Sequence, residues 1–294
     1  MLVGTAAALR RLRGIGGDQL TDIGITPVPP YSWLHTLAGF HVERALLALG
    51  VALALQIGVN YANDYSDGIR GTDINRKGPF RLTASKTTAA KNVRTAAFIA
   101  FGIAGLFGII LSALTGHWWL ILVGIACVLA AWFYTGGKRP YGYIGLGDIF
   151  VFIFFGPVAT LGTTFTQLGR ISLPAILGAI GVGLLACAIL MINNIRDIPT
   201  DITAGKKTLA VRLGDRRARI CYQLYIFVAL ATSLLFIATP WILIFPLLLI
   251  PAIAITGPVR KGAKGKDLIP VLAGTSLIEA CYAILISLAF IFVV

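Results

Sequence analysis

A chain of 294 residues that is 57% hydrophobic and only 13% charged falls outside the ordinary soluble class, in which about a quarter of the residues carry charge. Its net charge of +13 invites a nucleic-acid reading, and the placement of that charge argues against it. Twenty of the 25 Lys and Arg lie within residues 64–94, 136–145, 194–219 and 257–267, while the alternate connections hold only Arg170. This is the positive-inside pattern of a multi-pass membrane protein, and it assigns those four basic loops to the cytoplasm. Apolar stretches long enough for about 30 Å of hydrocarbon cover roughly 45–63, 95–115, 117–135, 146–166, 173–193, 220–238, 240–257 and 268–294. The expected fold is therefore all-α: a polytopic helical bundle of eight complete transmembrane helices in one domain spanning residues 1–294.

Residues 1–44 are the least legible. Residues 1–9 (MLVGTAAAL) have the look of the last turns of a membrane helix, and PVPP at 27–30 marks a loop. A disordered tail is an equal reading. Arg10, Arg11, Arg13 and Arg44 disagree with the charge rule, since they precede the first complete helix on the expected outer side.

The informative stretch follows. Residues 60–73 read NYANDYSDGIRGTD at the end of the first apolar run. Asn60, Asp64 and Asp67 recur at i, i+4 and i+7, so a continuing helix sets an amide and two carboxylates on one face. Carboxylates crowded this closely call for a cation, and oxygen-only ligands favour Mg²⁺. Because Mg²⁺ is commonly held by one or two carboxylates together with substrate phosphates, the stretch predicts a diphosphate site at a membrane surface. Arg70, Arg76, Lys77, Arg81 and Lys86 come next, and bases behind acids suit a metal-bridged diphosphate. A solvated cytoplasmic loop explains any one of them equally well.

Gly116 to Trp119 (GHWW) fits an interfacial belt. Tyr134 to Tyr143 (YTGGKRPYGY) ends a helix at its glycines and puts Lys138 and Arg139 on the same side as the acids, as ligands or as anchors. The segment MINNIRDIPTDITAGKKTLAVRLG at 191–214 repeats the earlier design: Asn193 precedes Asp197 by four and Asp201 follows by four more, with Lys206, Lys207 and Arg212 behind. Four helices separate the two clusters, so both emerge on one side, and the chain reads as two pseudo-repeated four-helix units. Pro199 is expected to interrupt the second helix between its acids. Cys127, Cys187, Cys221 and Cys281 are isolated, which indicates neither a disulfide framework nor a zinc site. Asp148 reads as a rim acid or as a polar group facing the bundle, and Glu279, within an apolar run, as a helix-packing or acceptor-pocket position.

Taken together, Asn63-Asp64-x-x-Asp67, Asp197-x-x-x-Asp201 and Tyr134-x-x-x-Lys138-Arg139 resemble the UbiA superfamily of intramembrane prenyltransferases. NDYSDGIRGTD with GPFRLTAS, and NNIRDIPTDITAGKKTLAVRLG, are most similar to its branch that prenylates 1,4-dihydroxy-2-naphthoate in menaquinone synthesis, over nearly the whole chain. Here Gly71 stands where the general pattern has a third acid, and Asp73 follows two residues later. The family has nine helices, so residues 1–9 resemble the end of a truncated first one.

The resemblance implies a Mg²⁺-dependent aromatic polyprenyltransferase of the cell membrane, its site facing the cytoplasm. Two Mg²⁺ ions would be held by Asp64, Asp67, Asp197 and Asp201, with Asp73 as a further candidate ligand. Arg70, Lys138, Arg139 and Lys206 would hold the diphosphate of a polyprenyl donor, with Asn60, Asn63, Arg81 and Asn193 as further substrate contacts and Tyr134 shielding the allylic cation. The acceptor would be 1,4-dihydroxy-2-naphthoate, losing CO₂ to give demethylmenaquinone. Acceptors such as 4-hydroxybenzoate, a chlorin, haem or a lipid keep the fold and change the substrate. A cation transporter, with its acids near the bilayer midplane, is the alternative of a different class.

Overall fold

Backbone amides and carbonyls have no water to bond in hydrocarbon, so an apolar chain of this kind satisfies them within helices. A computed structural model describes Val3 and residues 40–72, 81–236 and 239–292, and among these no strand occurs. The helices are α1 (Val42–Arg70), α2 (Ala90–Thr115), α3 (Leu120–Phe133), α4 (Gly147–Leu168), α5 (Leu173–Thr203), α6 (Leu209–Ala231), α7 (Ile244–Arg260) and α8 (Ile269–Phe292). Seven of the helical segments are long and apolar enough to cross a membrane, and α3 is a shorter apolar one. At 1.5 Å per residue the 14 residues of α3 rise about 21 Å. Leu46, Leu53, Leu106, Leu122 and Ile250 are among the many large apolar side chains left on the outside, as lipid contact requires.

α5 is the axis of the second half. Its glycines and alanines let neighbouring backbones approach, which is how helices pack where the hydrophobic effect no longer drives them together. A Cβ on Gly156 of α4 would meet the Ala179 carbonyl at 2.6 Å and the Gly183 Cα at 3.0 Å; one on Gly181 would meet the Tyr282 hydroxyl at 2.0 Å. Two hydroxyl pairs then bind α6 to α8: Tyr222 with Thr275 at 2.8 Å and Thr232 with Tyr282 at 2.5 Å. In the first half α1 lies along α2.

Three sequence expectations change in detail. The helices carrying the acids outrun their apolar stretches, ending at Arg70 and Thr203. Pro199 does not interrupt α5, which continues through it. Proline removes one backbone donor, and in the same turn the Thr200 hydroxyl donates to the Asp197 carbonyl at 2.9 Å. Arg44, misplaced by the charge rule, has a structural use. It donates to the Thr166 carbonyl at 3.0 Å and the Leu114 carbonyl at 3.4 Å, meeting orphan acceptors at the ends of α4 and α2. Arg10, Arg11 and Arg13 lie outside the described residues. Of residues 1–9, Val3 is helical and buried, against Gly178 of α5.

Candidate active site

The last turns of α1 and α5, the connection 134–145, and the loops after α1 and α5 meet at one end of the bundle. They enclose a cavity of about 260 Å³. α1 contributes Asn60, Asn63 and Asp67; α5 contributes Asn193, Asn194, Asp197, Thr200 and Asp201; Tyr134, Thr135, Tyr143, Arg81, Lys206 and Thr208 complete the polar wall. Leu190 lines it from the membrane side. The two acid clusters, far apart in the chain, thus face one space.

α1 ends because Gly71 takes a left-handed φ of 71°, a conformation that costs glycine little. The turn brings Thr72 back, its amide and hydroxyl both donating to the Asp67 carbonyl at 3.2 Å. Asp67 is 5% exposed; its carboxylate accepts a hydrogen bond from the Tyr143 hydroxyl and lies 3.5 Å from the Lys206 ammonium. The same ammonium sits 4.7 Å from the Tyr143 ring centroid, a cation–π distance. Burial and then the Asp67 charge push the Tyr143 hydroxyl above its ordinary range, so it remains a protonated donor at neutral pH.

On the opposite wall Arg196 grips Asp197 through two nitrogens, at 2.7 and 2.6 Å, a bidentate geometry that fixes the carboxylate's orientation. Asp201 accepts from the Thr208 hydroxyl at 3.5 Å, and its backbone carbonyl accepts the Lys206 amide at 2.8 Å. Thr208 also caps α6, so one residue joins the acid to the next helix.

The remaining predicted residues are placed differently. Asp64 is buried outside the lining, with Oδ2 accepting the Leu82 amide at 2.8 Å and Oδ1 the Thr83 amide at 2.9 Å. It fastens the loop whose preceding residue, Arg81, enters the cavity and donates to the Asn60 carbonyl at 3.3 Å. Arg70 turns away from the lining to donate to the carbonyls of Thr135 and Gly137, and its guanidinium lies 5.4 Å from the Tyr143 ring centroid. Lys138 and Arg139 are exposed and outside the lining. Asp73, Arg76 and Lys77 lie outside the described residues.

The sequence reading missed Tyr143, Asn194 and Arg196. Asn194 and Arg196 adjoin predicted residues, and helical geometry turns each neighbour by about 100°, enough for Asn194 to share the wall. No spacing pointed to Tyr143.

Among the described residues no group of three His, Cys, Asp or Glu side chains is close enough to hold a metal unaided. The three lining carboxylates and the side-chain amides nevertheless form a donor set of hard oxygens, without sulfur or imidazole. That set fits a hard divalent cation whose shell is completed by ligand oxygens, as Mg²⁺ commonly binds.

These features define a multi-pass helical membrane protein whose polar, carboxylate-lined site opens at the helix ends, away from the midplane position expected of a transport path. The chain belongs to the UbiA prenyltransferase family, whose model matches residues 27–267; it is a prenyltransferase. A 1,4-dihydroxy-2-naphthoate octaprenyltransferase of Mycobacterium tuberculosis is 48% identical over 262 residues, covering 89% of this chain and 88% of that one. Among solved structures, the apo form of a UbiA homolog from Aeropyrum pernix superposes with a TM-score of 0.64 at 16% identity, over 96% of this chain and 97% of that one. A UbiA homolog from Archaeoglobus fulgidus bound to DMAPP and Mg²⁺ gives 0.58 at 15% identity, over 100% of this chain and 96% of that one. These two likenesses establish the shared fold.

Proposed function

We propose that the protein transfers a polyprenyl group from an allylic polyprenyl diphosphate to 1,4-dihydroxy-2-naphthoate with loss of CO₂, giving demethylmenaquinol, the hydroquinone form of demethylmenaquinone, and diphosphate. The convergence of two acid clusters with Arg81 and Lys206 on one cavity supports the transfer chemistry. The identity to the mycobacterial naphthoate enzyme supports the acceptor.

Asp67, Asp197 and Asp201, with the neighbouring amides, are the residues that would hold Mg²⁺, in a two-ion site completed by the donor's phosphates. Mg²⁺ bound there supplies charge neutralisation for the departing diphosphate. Arg81 and Lys206 add fixed positive charge where negative charge grows, which stabilises the transition state above the ground state. Lys206 is held against Asp67 and Tyr143 before donor binds, so its position is set in advance. Asp64 serves the site by fastening the Arg81 loop. Lys138 and Arg139, exposed on the connection that supplies Tyr134 and Tyr143, attract the anionic donor. Tyr134 lines the cavity, where its ring would shield the allylic cation, and the apolar bundle below excludes the water that would quench that cation.

The protein sits in the cell membrane, and the basic loops at this end support a site that faces the cytoplasm. The test is product formation by the protein in lipid nanodiscs with Mg²⁺ and radiolabelled polyprenyl diphosphate. Prenylated naphthoate is the expected product; none with 1,4-dihydroxy-2-naphthoate but a labelled product with 4-hydroxybenzoate would overturn the acceptor assignment.

A further inference from the structure

Tyr134 and Leu190 line the cavity from the membrane side. Directly behind them is Gly147, the first residue of α4. A Cβ built there would stand 3.4 Å from the Tyr134 ring and 3.5 Å from both the Tyr134 hydroxyl and a Leu190 methyl. The next residue is Asp148, 4% exposed. Its Oδ1 accepts from the Tyr225 hydroxyl of α6 at 3.3 Å, and its backbone carbonyl accepts from the Cys187 thiol of α5 at 3.2 Å. Its Oδ2 is buried and, among the described residues, has no hydrogen-bond partner. The Asp148 backbone thus lies beside Cys187, three residues and about 4.5 Å along α5 from Leu190.

Nothing in the diphosphate machinery uses Asp148. A carboxylate withdrawn from water without a full set of partners is costly, and acids inside a bundle mark binding or proton-handling positions. Tying α4 to α6 accounts for Oδ1 and leaves Oδ2 unexplained. The position narrows the choice of ligand. The diphosphate fills the end lined by acids and bases, so the acceptor ring must approach the reacting carbon from the membrane side, over Tyr134 and Leu190. Gly147, beside Asp148 in the chain, brings no side chain of its own against that floor. A bare carboxylate oxygen calls for a hydrogen-bond donor and repels an acceptor's own carboxylate.

We infer that Asp148 binds a phenolic hydroxyl of the aromatic acceptor, its Oδ2 accepting the hydrogen bond and so making the attacking ring more electron-rich. The inference rests on the prenyl-transfer reading above. In the step it assists, the bond from the prenyl carbon to the diphosphate oxygen breaks with its electron pair leaving on diphosphate. The ring carbon bearing the carboxylate donates a pair to form the new carbon–carbon bond. The bond to the carboxylate then breaks, its pair restores the aromatic ring, and CO₂ departs. The hydroxyl proton stays shared between the ring oxygen and Asp148 and is not consumed.

The experiment compares wild type, Asp148→Asn, Gly147→Ala and Tyr225→Phe in nanodiscs, using 1,4-dihydroxy-2-naphthoate and its two monomethyl ethers. A hydrogen bond to a charged group predicts that Asp148→Asn lowers kcat/KM for the naphthoate about 10- to 100-fold, with the donor KM unchanged. Methylating the recognised hydroxyl should cost wild type a similar factor and cost Asp148→Asn almost nothing. Gly147→Ala meets ordinary contact distances, so it folds, and it should raise the acceptor KM several-fold. Tyr225→Phe should keep most activity, because Oδ1 is not the recognising atom. Donor and acceptor constants moving together in Asp148→Asn, or ethers affecting both proteins equally, would overturn the assignment. So would unaltered acceptor kinetics in Gly147→Ala, which decides the matter if Asp148→Asn fails to accumulate. A wild type that never prenylates the naphthoate refutes the proposed function itself, a result distinct from any of these.

Discussion

Tyr143→Phe separates two contributions that one side chain makes to the site. The substitution keeps the ring 4.7 Å from the Lys206 ammonium and 5.4 Å from the Arg70 guanidinium and deletes the hydroxyl that donates to Asp67. A hydrogen bond to a charged acceptor contributes about 1.5–3 kcal/mol. If that interaction orients Asp67 for the reacting complex, its loss lowers kcat/KM by about 10- to 150-fold, since 1.4 kcal/mol is a factor of ten. Tyr143→Leu removes the ring as well, freeing Lys206 from a contact that contributes about 0.5–2 kcal/mol, and should be lower again. The assay is initial-rate prenyl transfer in nanodiscs across a Mg²⁺ titration. Tyr143→Phe should demand more Mg²⁺ for half-maximal rate, and Tyr143→Leu should also raise the donor KM. A Tyr143→Phe protein within twofold of wild type at every Mg²⁺ concentration would show that the hydroxyl does not prepare Asp67, and the argument would fail.

Asp67→Asn and Asp197→Asn should each abolish measurable turnover while the protein remains inserted and folded, as read by circular dichroism and size-exclusion elution; retained turnover in both would sink the metal assignment. Lys138→Ala, at an exposed position, should raise the donor KM only a few-fold at low ionic strength, and the difference should vanish in high salt because exposed charges are screened. Gly181→Ala forces a Cβ to 2.0 Å from the Tyr282 hydroxyl. Overpacking costs about 1–3 kcal/mol, so its thermal unfolding midpoint in detergent should drop by several degrees, and an unchanged midpoint would mean that α5 and α8 are loosely packed there.

The division between sequence and tertiary structure is visible residue by residue. Eight apolar runs were legible because hydrocarbon leaves a chain no option but to bond its own backbone, so hydropathy reports the helices directly. The face carrying Asn60 and Asp67, and the one carrying Asn193, Asp197 and Asp201, followed from helical spacing once the helices were seen to outrun their apolar segments. Charge alone carried the expectation that the basic loops share one side of the membrane.

Spacing is silent about partners across the bundle. Asp64 has the same local pattern as Asp67, yet one carboxylate binds loop amides and the other meets Tyr143 and Lys206. Arg70 and Arg81 follow the same acids, yet the first clamps a neighbouring turn and the second enters the cavity. Asp148 reads equally as a rim acid or as a polar group facing the bundle, and the packing of α4 against α5 and α6 is what buries it. Periodicity within one helix is a local property that the residues themselves encode. Which polar group meets which depends on how close two backbones approach, and here that was set by glycines such as Gly156 and Gly183, which let α4 settle against α5.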